Sequence, residues 1–110
     1  LNKRFGTGLV DWKGYEETLA SSWQRQMHLF EVPFYYIEYG IAQLGAIGVW
    51  KNSKINFKES IENYRTALGL GYTKSMPEVY AQAGIDFKFS GDHICMLADF
   101  VASELEKLDA

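Results

Sequence analysis

The chain has 110 residues, which is enough for one compact domain. With 47% hydrophobic and 23% charged residues, it has the composition of a folded chain rather than a disordered one. A net charge of −3 and the absence of any Lys/Arg cluster exclude the basic surface that nucleic-acid binding requires, so we expect no nucleic-acid partner.

The chain carries one cysteine, Cys95, which allows neither an internal disulfide nor a zinc site built on cysteines. A reducing compartment suits such a chain, so we expect a cytoplasmic location. The longest apolar stretch, residues 32–50, is interrupted by Glu38, Gln43 and several glycines, which predicts a buried helix rather than a membrane span. We predict no signal peptide, and because the first residue is Leu1 rather than methionine we expect a piece of a longer protein.

The first predicted helix follows a loop over residues 1–10. Asp11 is its predicted N-cap, and an apolar side chain every three or four residues predicts about four turns. The apolar residues of this stripe are Trp12, Tyr15, Leu19, Trp23 and Met27.

The second predicted helix covers residues 33–50 and is apolar on most of its faces, which is typical of a helix in the centre of a larger structure. Pro33 lacks an N–H and therefore suits the first turn of a helix better than its interior. Glycines lower the helix propensity, and close approach of a neighbouring backbone is the expected compensation. These glycines are Gly40, Gly45 and Gly48. Residues 51–54 predict a polar break.

A third helix is predicted over residues 57–68 because apolar residues recur on one of its faces. Ser75 and Glu78 have the spacing of a capping box, which opens a short fourth helix that Gly84 ends.

The fifth predicted helix begins at a cap, either Ser90 or Asp92, and its apolar stripe extends to residue 108. No alternating segment with hairpin turns indicates a strand. The prediction is therefore an all-α fold: a single region over residues 1–110, made of five helices and belonging to a larger helical domain.

Thiol, metal and phosphate chemistry are not indicated. Cys95 lies two residues from His93 on a predicted helix, which places the two side chains on different faces. Two histidines, His28 and His93, cannot assemble a recognisable zinc site without an H-E-x-x-H motif, so we predict no metal site in this chain. Gly69 and Gly71 follow a helix and fit its C-cap better than a phosphate-binding loop.

The strongest functional candidate is the segment 24–43, where a histidine and three tyrosines come close together in sequence. His28 ends one predicted helix. Tyr35 and Tyr39 share a face of the next helix, and Tyr36 adjoins Tyr39. Imidazole and phenol groups at a helix–helix corner donate hydrogen bonds of the kind that stabilise a developing oxyanion. Residue types alone favour the alternative, packing aromatics beside a surface histidine, because aromatic stripes at helical spacing usually belong to a core.

A resemblance to a known family rests on two segments that, with their flanks, cover most of the chain. Residues 28–50 read HLFEVPFYYIEYGIAQLGAIGVW and resemble the C-terminal part of oligoendopeptidase F and its relatives, in the thimet oligopeptidase superfamily of zinc metallopeptidases. Residues 64–87 read YRTALGLGYTKSMPEVYAQAGIDF and resemble the helix–Gly turn–helix ending of the same proteins. The pattern H-x4-P-F-Y-Y-x-x-Y, with the later A-G-I-D-F, carries the resemblance.

The resemblance implies roles for residues of this corner, because in the family a histidine and one or more tyrosines reach over the catalytic zinc towards the scissile carbonyl. His28 and Tyr39 match those positions, and Tyr35 and Tyr36 stand beside them as further candidates. In that mechanism the zinc polarises the carbonyl and a glutamate of H-E-x-x-H accepts a proton from the attacking water. Arg25 is the candidate for holding a peptide carboxylate or carbonyl, with a solvated helix arginine as the alternative.

The zinc ligands and the catalytic glutamate of the family lie upstream of this region and are absent from this sequence. The resemblance therefore implies a C-terminal fragment of a zinc-dependent oligopeptidase that hydrolyses short peptides, and we expect the chain alone to be inactive. The alternative is a non-catalytic helical binding or assembly module. Exposed apolar faces predict contact with the remaining part of the peptidase or self-association.

Overall fold

The computed structural model describes residues 8–108, in which six α-helices are present and no strand is formed. The predicted all-α fold is confirmed. The α-helices are α1 (Glu16–Ser21), α2 (His28–Glu31), α3 (Ile37–Ile55), α4 (Phe57–Gly69), α5 (Met76–Gln82) and α6 (Gly91–Glu106). Short 3-10 helices occur at Ser22–Arg25 and Gly71–Thr73. None of the helices between residues 8 and 108 has the length and apolar character needed to span a bilayer.

The chain divides between Ile37 and Glu38 into two compact units. The first unit, within the described residues, contains α1, α2 and the turn that follows. The second unit contains nearly all of α3 and the whole of α4, α5 and α6. Residues 1–7 of the predicted N-terminal loop lie outside the described residues.

The long first helix predicted from Asp11 onwards is wrong, because the structure breaks it into three pieces. Asp11 Oδ1 accepts from the Lys13 N–H at 2.9 Å in a local turn, and α1 begins only at Glu16. The Ser21 and Ser22 hydroxyls then donate to backbone carbonyls one turn earlier. Such bonds compete with the continuing helix, which tightens to a 3-10 turn.

The second predicted helix starts later and ends later than its sequence pattern indicates. Pro33 lies in a turn rather than in the first helical turn, since Phe34 has a left-handed φ of 66° that no α-helix accommodates. The predicted polar break at 51–54 is also wrong, because α3 continues through it to Ile55. Contacts with other elements hold this stretch in place. Lys54 Nζ lies 2.7 Å from Glu104 Oε2 in α6, and the Asn52 amide donates to the Gly84 carbonyl at 2.7 Å.

The remaining three helices agree with their predicted positions because local caps mark their ends. Asn56 caps α4 by accepting from the Glu59 N–H, and Ser75 with Glu78 forms the capping box of α5. Ser90, rather than Asp92, caps α6.

The interior of the second unit is small. Among its described residues, up to 108, Leu97 is the most buried large side chain at 2% exposure, and the other buried residues are Gly45, Ser60, Ala67 and Ala83. Ring contacts supplement this core, with Trp50 against Phe100 at 4.8 Å and Tyr80 against Phe87 at 5.0 Å.

The expected burial of the second predicted helix is therefore wrong for most of its length: within the described residues, Gly45 alone is buried in α3. The expected backbone contact at the glycines is also wrong, because side chains cover Gly45 and Gly48 and nothing lies within 4 Å of a Cβ on Gly40. A Cβ on Gly45 would lie 2.6 Å from the Tyr80 hydroxyl, which donates to the Ile41 carbonyl at 2.9 Å. Burial raises the pKa of the Tyr80 phenol, which keeps it protonated as a donor.

Candidate functional site

The candidate site is the corner of the first unit where α2 ends and the chain turns towards α3. His28 is the first residue of α2, a helix of a single turn. Tyr35 and Tyr36 lie in the turn over residues 33–36. The site therefore depends on how that turn directs the two tyrosines.

The turn at this corner brings two tyrosine rings onto the histidine. His28 and Tyr35 are stacked, with ring centroids 6.1 Å apart and an interplanar angle of 9°. Tyr36 lies on His28 at a centroid distance of 5.5 Å and an angle of 33°. The fold thus assembles three of the four catalytic candidates.

Two backbone features produce this arrangement. Pro33 fixes its own φ, and the Tyr35 N–H donates to the Val32 carbonyl at 3.2 Å to close a tight turn. Phe34 has a φ of 66°, and a residue with a Cβ adopts this left-handed conformation at a cost of roughly 1–2 kcal/mol. Its ring is 95% exposed, so burial of the ring does not offset that cost. Strained backbone of this kind concentrates at functional sites.

Phe34 is a member of this site that the sequence pattern did not indicate. Glycine or asparagine is the usual signal for a left-handed residue, and neither stands at this position. The preceding proline indicates a turn but not which residue takes the unusual φ.

The chemistry available at the corner is hydrogen-bond donation. An imidazole N–H and two phenolic O–H groups are donors to a carbonyl oxygen, and an oxygen that gains negative charge strengthens each bond. His28 is half-buried, whereas Tyr35 and Tyr36 are both exposed enough to meet a ligand arriving from solvent.

The other two predicted site residues lie on either side of this cluster along the chain. Arg25 ends the 3-10 helix of the first unit and is exposed. Tyr39 lies in the first turn of α3, in the second unit, and is also exposed.

No metal site is formed by the part of the chain that the structure describes. Within residues 8–108, no three side chains of His, Cys, Asp or Glu are grouped so as to hold a metal ion. Cys95 is an exposed free thiol of α6, and His93 is half-buried in the first turn of the same helix. These residues do not fit a zinc site.

Comparisons with protein-family models, with curated proteins and with solved structures found no match to this chain.

Proposed function

We propose that this chain forms one side of the active site of a zinc-dependent oligopeptidase that hydrolyses short peptides, as the C-terminal part of its catalytic domain. The observation that supports this proposal is the contact of the His28 ring with both Tyr35 and Tyr36. These residues stand inside the H-x4-P-F-Y-Y-x-x-Y pattern on which the resemblance rests.

In this proposal the chain supplies hydrogen bonds and orientation rather than the nucleophile. The resemblance makes His28 and Tyr39 the donors to the peptide carbonyl oxygen as it becomes negatively charged. Tyr35 and Tyr36, whose rings contact the His28 ring, are further candidate donors. Removing one oxyanion donor typically costs about 3–4 kcal/mol, or a factor of 100–1000 in turnover. Arg25 holds the carboxylate or a carbonyl of the peptide.

The rest of the machinery lies outside residues 1–110 in this proposal. The zinc ligands and the general base belong to the remaining part of the peptidase, which is also the proposed partner of this chain. The single cysteine favours a cytoplasmic setting.

The kinetic test is the substitution Tyr39→Phe in the longer parent enzyme. It removes a hydroxyl and keeps the ring, so we expect turnover to fall about 100- to 1000-fold with thermal stability nearly unchanged. His28→Ala is expected to lower turnover similarly. The matched control is Tyr72→Phe, because Tyr72 is a fully exposed tyrosine outside the corner and its hydroxyl has no role in the proposal.

The alternative function, a non-catalytic helical binding or assembly module, predicts a different result. Turnover per folded molecule would then respond to Tyr39→Phe no more than to Tyr72→Phe. Sequencing the source gene upstream of Leu1 separates the two functions directly. An in-frame H-E-x-x-H motif followed by a glutamate is expected for the peptidase, and its absence would favour the module.

A further inference from the structure

An apolar groove lies in the second unit between α3 and α4, and residues of α5 also line it. Its volume is about 460 Å³. We call it the α3–α4 groove and define it by Ala46, Val49, Phe57, Ile61, Tyr64 and Leu68. Every residue of its lining belongs to the second unit, so the groove is a property of that unit alone.

One wall of the groove is a row of large apolar side chains on α4. Phe57, Ile61, Tyr64 and Leu68 follow one another at spacings of four, three and four, which places them on one helix face. Phe57 is 69% and Leu68 61% exposed. Tyr64 is also exposed and Ile61 is half-buried, and an apolar row with this much exposed surface marks an interaction surface.

The opposite wall, on α3, combines small and large side chains. Ala42 and Ala46 are its small members, and Val49 and Trp50 are its large ones. A groove with two apolar walls of this kind is a shape into which the apolar face of another helix fits.

The outer edge of the groove is basic. On α4, Ser60 and Ala67 lie on one side of the apolar row and are buried, whereas Lys58 and Arg65 lie on the other side and are exposed. Among residues 8–108, no carboxylate forms an ion pair with Lys58 or Arg65. The nearest acids in sequence are Glu59, next to Lys58, and Glu62, three residues before Arg65. At 100° per residue both stand farther from the apolar row than Lys58 and Arg65 do.

The basic edge disfavours a second copy of this chain as the occupant of the groove. Two copies packing α4 against α4 antiparallel would bring Lys58 and Arg65 of one copy against the same residues of the other, which is repulsive. A parallel pair would place this edge against the side of Ser60 and Ala67, which is already buried.

We propose that the α3–α4 groove binds an amphipathic helix of a partner polypeptide that carries Asp or Glu along the edge facing Lys58 and Arg65. The apolar residues of the partner helix, at i, i+3, i+4 and i+7, lie against Phe57, Tyr64 and Leu68. This proposal does not depend on the peptidase, because it concerns the second unit and no catalytic residue.

The test is a direct binding measurement with two fluorescently labelled helical peptides. The row from Phe57 to Leu68 is about 17 Å long at 1.5 Å per residue, so a peptide of about 16 residues covers it. Both peptides carry the same leucine row, one with glutamates along its edge and the other with lysines. By fluorescence anisotropy on the full 110-residue chain we expect the glutamate peptide to bind about 3- to 20-fold more tightly at low salt. We expect 0.5 M salt to reduce that difference.

Charge reversal tests the basic edge itself. In the double variant K58E plus R65E we expect the lysine peptide to bind more tightly than the glutamate peptide. Leu68→Glu is expected to weaken both peptides at least tenfold, because it places a charge in the apolar row. The matched control for Leu68→Glu is Thr66→Glu, on the opposite and exposed face of α4, which is expected to leave the affinity of both peptides unchanged. Circular dichroism of each variant verifies that helix content is retained.

Three results would overturn the proposal. Equal affinity of the two peptides for the unmodified chain would show that the basic edge does not select the partner. If neither peptide binds at millimolar chain concentration, the groove is not a helix-binding site. A concentration-dependent dimer that Leu68→Glu dissociates and Thr66→Glu does not would assign the groove to a second copy.

Discussion

At residue 45 of α3 there is no space for a side chain. A Cβ there would lie 2.6 Å from the Tyr80 hydroxyl and 2.9 Å from its Cζ, both closer than a van der Waals contact. We expect Gly45→Ala to destabilise the chain by about 1–3 kcal/mol, because the ring must move and its hydrogen bond to Ile41 is strained or lost. Urea unfolding followed by circular dichroism measures the change.

The same helix offers a matched control. Nothing lies within 4 Å of a Cβ on Gly40, so Gly40→Ala is expected to stabilise α3 by about 0.5–1 kcal/mol through helix propensity alone. Equal stabilisation by both substitutions would show that Tyr80 does not occupy the space over Gly45. The sequence pattern predicted one common role for these glycines, since nothing in the sequence near α3 indicates which of them a tyrosine more than thirty residues away will cover.

At the scale of the element, the cap of α5 carries a pH dependence. The Ser75 hydroxyl and the Ser75 N–H both donate to Glu78 Oε2, at 2.7 and 2.9 Å. These bonds lower the pKa of Glu78, and the bond from the hydroxyl has the larger effect. A carboxyl with a lowered pKa in the folded state stabilises it when ionised. That contribution is present above the ordinary glutamate pKa of about 4.3 and is lost as the pH falls through the lowered value.

We expect an NMR titration of the Glu78 side-chain carboxyl to give a pKa below its ordinary value. Ser75→Ala should move that pKa back towards the ordinary range, because it removes the largest cause of the shift. Glu104, whose pKa is lowered by hydrogen bonds from Lys107 and Lys54, is the reference carboxyl in the same spectra, and Ser75→Ala should leave its pKa unchanged. An unchanged Glu78 pKa in Ser75→Ala would mean that the hydroxyl does not bond to the carboxylate in solution.

Caps also explain which elements could be predicted. The ends of α4, α5 and α6 were predicted closely because a helix end is encoded within about four residues of sequence. The predicted first helix failed although its apolar spacing was regular. There, hydrogen bonds from the Ser21 and Ser22 hydroxyls to backbone carbonyls oppose continuation of the α-helix. The spacing of apolar residues carries no information about these bonds.

At the scale of the whole molecule, the small interior sets the response to denaturant. The urea m-value scales with the surface exposed on unfolding, and within residues 8–108 no aromatic side chain is fully buried. We expect the isolated chain to unfold with an m-value of about 1 kcal/mol per molar urea or less, and to bind a hydrophobic dye such as ANS before unfolding. A steep transition near 3 kcal/mol per molar without dye binding would contradict this expectation.

Burial is also what the sequence predicted least well. The apolar character of residues 33–50 indicates that the helix is suited to an interior, but covering it depends on elements distant in sequence or on other polypeptides. The candidate site was predictable in part. The pattern named His28, Tyr35 and Tyr36, whose rings are in contact, while the left-handed φ of Phe34 in the turn between them has no signal in the sequence.

The contact of Tyr80 with Gly45 has a consequence for how this protein can change over evolutionary time. Because the tyrosine hydroxyl and ring occupy the space above the glycine, neither position can be replaced freely while the other is kept. A larger residue at 45 becomes acceptable only after the ring at 80 has been exchanged for a smaller side chain, so the order of the two substitutions matters. In a set of related sequences, positions 45 and 80 should therefore covary, with glycine accompanying tyrosine and alanine or serine accompanying a shorter residue.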